Sequence, residues 1–273
     1  MSGLPDLRGK VAVVTGGASG IGKGIATQFV AEDMRVIIAD IEQDALDKTA
    51  AQLGAVGVPV DVSDLDSVQA LARAARELYG TVHVVCNNAG IGPMAAIKDL
   101  TMDDWHWMLG VNLYGVIHGV HTFLPVLRAN PDGGHIVNTA SMAGLVAPTR
   151  IGSYAVAKYG VVALTEVLAA ELAAEDSKVG VSVLCPGTVR TNIGTSSRNR
   201  PADLADRGLV DIDIQLEDNP NYRWIDPDQA GAVVVRAVKR GDLYALTHPD
   251  WYPQVEQRHH AIAAAFRQQA AEL

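Results

Sequence analysis

Val11-Ala12-Val13-Val14-Thr15-Gly16-Gly17-Ala18-Ser19-Gly20-Ile21-Gly22 is the stretch on which the fold of this chain turns. A short apolar run leads into a segment where five of the nine positions from Gly16 to Gly24 are glycine. A helical pattern then runs from about Ile21 to Glu32. Strand, glycine-rich turn and helix in that order open a nucleotide-binding βαβ unit. Glycine lets a backbone come close to a pyrophosphate, and the unpaired N–H groups of a helix start favour anionic oxygens. The Gly-x-Gly-x-x-Gly spacing fails, because Ile25 stands where its last glycine would be. The glycines instead stand four and two apart, at Gly16, Gly20 and Gly22. A ligand-free turn is the blander alternative, and the flanking strand and helix weigh against it.

The same rhythm continues along the chain. Strands are expected at Val36–Ala39, Val56–Val60, Val82–Cys86, His135–Thr139, Val181–Leu184 and Leu243–Leu246. Helices are expected at Glu42–Leu53, Leu65–Tyr79, Met102–Arg128, Gly152–Glu175 and from Asp226-Pro227 to Arg240. Pro125 should end or kink the long helix that contains it. Alternating strands and helices predict an α/β protein, a single-domain Rossmann fold over residues 1–273. Its doubly wound parallel sheet should hold about seven strands, with helices on both faces. Val255, Ile262, Phe266 and Leu273 mark one face of a helical tail over 249–273. Residues 192–225 break the rhythm and read either as a lid or as a solvated segment.

Composition narrows the function. Lys and Arg number 22 against 31 Asp and Glu, a net charge of −9, which argues against nucleic acid or an anionic membrane as the main partner. No apolar stretch reaches the ~18 residues of a membrane span. Met1 to Lys10 lacks the pattern of a signal peptide. Two cysteines, Cys86 and Cys185, are too few for a disulfide framework, so a cytoplasmic setting is expected. Both end apolar strands and should pack as small hydrophobes. His106, His118 and His121 share a helix without an acidic or thiol cluster, and His259 and His260 face different directions. No metal site is expected.

The chemical residues lie beyond the glycine loop. Asp40 ends the second strand eighteen residues after Gly22, where a carboxylate accepts bonds from ribose hydroxyls and repels a 2′-phosphate. It could also cap the following helix. Ile41 beside it offers no cation, so NAD is favoured over NADP. Tyr154 and Lys158, four apart on one helix, share a face. An ammonium close to a phenol lowers its pKa from ~10, which would fit Tyr154 as a general base or acid.

Thr15-Gly-x-x-x-Gly-x-Gly22, Asn87-Asn-Ala-Gly90, Asn112, Ser141, Tyr154-x-x-x-Lys158 and Pro186-Gly187 follow the order and spacing of the short-chain dehydrogenase/reductases. The chain resembles that family from about Leu7 to Thr247. The resemblance implies hydride transfer between NAD and a secondary alcohol or ketone, with Asn112, Ser141, Tyr154 and Lys158 as the catalytic set. Ser141 would hold the substrate oxygen, Lys158 would also bind the nicotinamide ribose, and Asn112 would keep a water in a proton relay. The cofactor set it implies is Gly16, Ser19, Gly20, Ile21, Gly22, Asp40 and Ile41. Asp61 and Val62 are added at the adenine, and Asn88, Ala89 and Gly90 at the adenosine ribose. Pro186, Gly187, Val189 and Thr191 would hold the nicotinamide carboxamide.

The family resemblance also implies a homodimer or homotetramer through the two long helices, with Val161, Leu164 and Leu168 on a face that could serve, unless that face only covers the sheet. Ile91–Met94, Met142–Val146, Arg150 and Val189 are the candidate substrate lining, mostly apolar, which suits a bulky hydrophobic or aromatic substrate. Asn192–Pro201 and Leu243–Pro249 are similar to bacterial members that oxidise benzylic alcohols of lignin-derived aryl ethers. Bacterial hydroxysteroid dehydrogenases are the rival. Enoyl reductases of the Tyr-x6-Lys type are set aside by Val161, seven beyond Tyr154. Sugar epimerases are longer, and halide-releasing relatives lose the phosphate glycines. A non-catalytic dinucleotide sensor is the alternative of another class, and it would have no need of a complete proton relay.

Overall fold

The computed structural model describes residues 2–216 and 223–272. Seven parallel strands form one sheet in the order β3-β2-β1-β4-β5-β6-β7. They are β1 Val11–Thr15, β2 Arg35–Asp40, β3 Val56–Pro59, β4 Val84–Asn87, β5 Gly134–Thr139, β6 Val179–Cys185 and β7 Tyr244–Leu246. The helices are α1 Gly20–Ala31, α2 Gln43–Leu53, α3 Leu65–Tyr79, α4 Met102–Leu109, α5 Gly115–Ala129, α6 Gly152–Ala174, α7 Pro227–Arg240 and α8 Tyr252–Ala270. The doubly wound architecture expected from the sequence is the one observed.

Side chains alternate along a strand, and here the alternation sorts two cores. Val13, Ile37, Val85, Ile136 and Val181 face one side, where they meet Leu71 of α3, Phe123 of α5 and Leu168 of α6. Val14, Ile38, Cys86, Val137 and Leu184 face the other, against Phe29 of α1, Leu46 of α2 and Val234 of α7. Both faces are apolar because both are covered. A buried polar chain crosses the first layer: Asn87 Nδ2 donates to Asn138 Oδ1 at 2.8 Å, and Asn138 Nδ2 donates to Thr165 at 3.1 Å.

The strand order reverses between β1 and β4, the place where open α/β sheets bind ligands at the carboxyl ends of their strands. The residues around it come from loops that this topology gathers.

Several expectations change. The helix predicted over Met102–Arg128 is two, joined by a π-helical turn at Gly110–Tyr114. Pro125 does not end it, since α5 continues to Ala129 and loses one bond close to its own terminus. In α6, Val161 and Leu168 are buried in the core, so they cover the sheet and are not available for docking. In α8, Val255 packs on the core, whereas Ile262 and Phe266 are exposed, and Leu273 lies outside the described residues. Among the described residues no helix is long and apolar enough to cross a membrane, and no cluster of three His, Cys, Asp or Glu is placed to hold a metal.

Candidate active site

A cleft of about 1170 Å3, including its open mouth, lies over the switch point. Of the residues proposed for a cofactor, it is lined by Gly16, Ser19, Gly20, Ile21, Asp40 and Ile41 from the β1 and β2 loops. Asp61, Val62, Asn88, Ala89 and Gly90 follow from the next two loops. Tyr154, Lys158, Pro186 and Thr191 complete the set from the β5–β6 side.

The glycine loop shows why it needs its composition. Gly16 has φ +64° and Gly20 φ +50°, backbone values that favour glycine. A Cβ on Gly22 would stand 2.0 Å from the Gly16 carbonyl oxygen. Gly22 is therefore a packing residue under the loop, and it is absent from the cleft lining. Thr15 and Asn88 lock the loop to β4: the Asn88 and Ala89 N–H groups donate to Thr15 Oγ1 at 2.9 and 3.1 Å, and Asn88 Nδ2 donates to the Thr15 carbonyl at 3.0 Å. Ser19 at the N-cap of α1 makes no side-chain cap bond, and the first turn holds no acid. That leaves N–H donors for an anionic ligand.

Asp40 accepts the Ala18 N–H on one oxygen and the Glu42 N–H on the other, each at 3.1 Å. It is not the N-cap of α2, which is Glu42. Each oxygen keeps a lone pair for a further donor. Burial raises its pKa, against the pull of those backbone donors. Glycine loop, uncapped helix start and half-buried carboxylate fit a dinucleotide.

On the other side, Lys158 Nζ is buried and donates to the Thr139 carbonyl at 2.9 Å. It lies 5.5 Å from the Tyr154 ring centroid. Ser141 Oγ accepts the Ala143 N–H at 3.1 Å, which leaves its hydroxyl proton for the Tyr154 oxygen. The expected lowering of the Tyr154 pKa does not occur in the chain alone. Burial raises it, and the Ser141 hydrogen bond opposes that only in part. Burial also brings Lys158 down to about 8. The ammonium is turned to the Thr139 carbonyl and desolvated, and burial dominates at both groups.

Asn112 sits in the π-helical turn, fully buried. Its Oδ1 accepts the Ile91 N–H and its Nδ2 donates to the Ile91 carbonyl, both at 2.9 Å, while Nδ2 also contacts Met108 Sδ. The side chain thus clamps Ile91, and through it Gly90, beside Lys158. This is a positioning role, and Oδ1 keeps one lone pair for a further donor.

Two further candidates are displaced. Val189 turns inward against Ile225 and Ala230, bridged to Ile225, and does not line the cleft. Gly187 lies beneath His248, where a Cβ would come 2.6 Å from the ring, and its N–H donates to Thr247 Oγ1 at 3.0 Å. Of the predicted substrate lining only Ile91 is in the cleft; Trp107, Val111, Ile193 and Ser196 take the other places. Met142 is instead buried in the core. Cys86 and Cys185 are both buried, and burial pushes the Cys185 thiol up to about 12. His118 holds the Val62 carbonyl at 2.9 Å.

The segment after β6 is more ordered than its composition suggests. Residues 193–199 form two short 3-10 turns on either side of a kink at Thr195, and Met94 and Val210 bridge antiparallel. Arg200 pairs with Asp104 at 2.6 Å, side chains 6% and 0% exposed, and its guanidinium lies 5.2 Å from the Trp107 ring centroid. It is no solvated arginine. Residues 217–222 of the expected lid lie outside the described residues.

The family model described as short chain dehydrogenase matches residues 10–202. A C alpha-dehydrogenase of Sphingobium sp. is 32% identical over 267 residues, covering 95% of this chain and 87% of that protein. A 3beta-hydroxysteroid dehydrogenase 2 of Eggerthella lenta is 36% identical over 200 residues, covering 71% and 76%. The crystal structure of a short chain dehydrogenase/reductase from Burkholderia phymatum in complex with NAD superimposes with a TM-score of 0.91 at 38% identity, covering 96% of this chain and 97% of that one. The chain belongs to the short-chain dehydrogenase/reductase family, and it is an oxidoreductase of the alcohol–ketone type.

Proposed function

We propose that the enzyme interconverts a bulky, hydrophobic or aromatic secondary alcohol and its ketone with NAD as cofactor. One observation carries the reading: Asp40 on the β2 side and Tyr154 with Lys158 on the β5–β6 side line the same cleft. The Gly16–Gly20 backbone and the start of α1 would hold the pyrophosphate, and Asp40 the adenosine ribose. Asp61, Val62 and Asn88–Gly90 would line the adenosine, with Lys158, Pro186 and Thr191 toward the nicotinamide. The bound nicotinamide supplies the hydride acceptor or donor. Tyr154 exchanges the proton at the substrate oxygen, and Ser141 holds that oxygen in place. Ile91, Trp107, Val111 and Ile193 give an apolar end with one aromatic ring, which suits an aryl group. The C alpha-dehydrogenase match agrees with a dehydrogenase reading. The hydroxysteroid match keeps a steroid alcohol as the second substrate to test.

Asp40 makes cofactor choice the first test. Wild-type kcat/KM is expected to favour NAD, since a carboxylate beside a 2′-phosphate is a like-charge contact. Asp40→Ala with Ile41→Arg should shift the preference toward NADP by at least roughly tenfold, ~1.4 kcal/mol. Equal wild-type efficiency with the two cofactors would remove the assignment.

We further assign 192–225 as the lid and 249–273 as a helical tail, and a cytoplasmic setting suited to two buried free thiols. The homodimer or homotetramer contact falls on the exposed stripe Val156, Ala163, Val167 and Ala170 of α6 with Tyr114. Val167→Glu is expected to sediment as a monomer where the wild type does not; a monomeric wild type at micromolar concentration would reject the contact.

A further inference from the structure

Glu42 is the N-cap of α2, a position that favours Ser, Thr, Asp or Asn because a short side chain bonds the helix's own N–H groups. The Glu42 side chain makes no such bond. Its Oε1 instead accepts from Arg198 Nη2 at 2.6 Å and from Asn199 Nδ2 at 2.8 Å. Arg198 is fixed on its own segment by donating from Nη1 to the Thr195 carbonyl at 2.6 Å.

These partners come from the two halves of the sheet. Glu42 follows β2 and Arg198 follows β6, on opposite sides of the β1–β4 switch point. Glu42, Arg198 and Asn199 line the same cleft as Asp40. A weaker tie, Ser19 Oγ to Asn192 Oδ1 at 3.4 Å, joins the same segment to the glycine loop. The side chains of Glu42 and Arg198 are 32% and 39% exposed, so the pair is partly withdrawn from water and still open to salt.

Resting on the dinucleotide reading above, we propose that Glu42, Arg198 and Asn199 form a clasp that holds residues 193–199 across the adenosine side of the cleft and controls how fast the cofactor leaves. A dinucleotide seated between the glycine loop and Asp40 exchanges with solvent by parting these residues. Charge supports the same assignment. Arg198 and Lys158 are the cations in the cleft lining, and Glu42 takes up the charge of Arg198. Among the described residues, no unpaired guanidinium is then left in the cleft lining to welcome a 2′-phosphate.

The test is the release rate of NADH, followed by stopped-flow fluorescence on displacement with excess NAD. Glu42→Gln and Arg198→Met are each expected to speed release roughly two- to fivefold, in line with a partly exposed charged pair. The α2 cap is untouched, because the Glu42 side chain does not serve it. The double variant should be no faster than the faster single, since both changes remove one contact. Added salt should speed release from the wild type and leave the variants nearly unaffected. Wild-type release rates in both single variants, or additive effects in the double, would overturn the clasp while NADH binding keeps the cofactor reading. Wild-type protein that bound no NADH would overturn the cofactor reading and the clasp with it.

Discussion

Tyr154→Phe is expected to lower kcat for alcohol oxidation by at least ~10²–10⁴, the usual worth of general acid–base catalysis, with NAD affinity little changed. The ring keeps its bulk against Trp107 and its neighbours, and only the hydroxyl that faces Ser141 is lost. The pH profile gives the sign of the mechanism. Burial raises the Tyr154 phenol and brings Lys158 down to about 8, so the coupled pair loses its first proton near that value. Oxidation needs a base, so its rate should rise as pH passes that value. Ketone reduction needs the proton and should fall over the same window. The apparent value belongs to the pair, not to one residue. Lys158→Ala removes the lower step and leaves the buried phenol, so half-maximal oxidation should move to higher pH. Tyr154→Phe with most of its turnover would assign the proton to another group.

Arg200→Met is the second large effect. Removing one partner of a buried pair leaves a charge without its counter-ion, at a cost of about 3–5 kcal/mol. Asp104 keeps the backbone donors of Thr101, Gly208 and Leu209 at 3.0, 2.7 and 3.3 Å, which places the expected loss near the lower figure. Those amides report it directly. Hydrogen exchange at Gly208 and Leu209 should speed up by about 100-fold, while strand amides in β4 and β5 change less. Burial pushes the Asp104 carboxyl up, but these N–H donors and Arg200 outweigh it and hold the pKa below its ordinary value. A depressed folded-state pKa stabilises above the unfolded value, so this contribution should fade as pH falls through the folded one. Exchange at wild-type rates in Arg200→Met would show that the pair does not anchor the segment.

Local signals carried most of the fold. The alternation along β1, β2 and β4 and the glycines at 16, 20 and 22 are written within a few residues, so strand, turn and helix could be read together. The Leu65–Tyr79 helix is bounded by Asp64, which accepts the Asp66 N–H, and by Gly80 at φ +80°, both visible as residue types. What stayed hidden depends on partners far apart in sequence. Arg200 looks solvated in an acidic loop until Asp104, 96 residues away, is placed beneath it. Glu42 looks like an exposed helix start until Arg198, 156 residues on, meets it. Val189 and Gly187 sit in a run whose neighbours do reach the cleft, and a pattern of residue types does not say which way each one turns. Trp107 and Val111 entered the cleft because the π-helical turn and the Asn112 clamp set that helix face, and no spacing rule signals a π turn.

The most direct measurement uses a secondary aryl alcohol carrying deuterium on its carbinol carbon. Incubated with the enzyme and NAD, it should give the ketone and NADH of one mass unit more, with one deuterium transferred per turnover and no label lost to water. Tyr154→Phe should yield the same labelled product at a rate lower by at least ~10². Absence of labelled NADH from aryl and steroid alcohols alike, in protein that binds NADH, would contradict the dehydrogenase reading and leave the cleft as a dinucleotide-binding site without this chemistry.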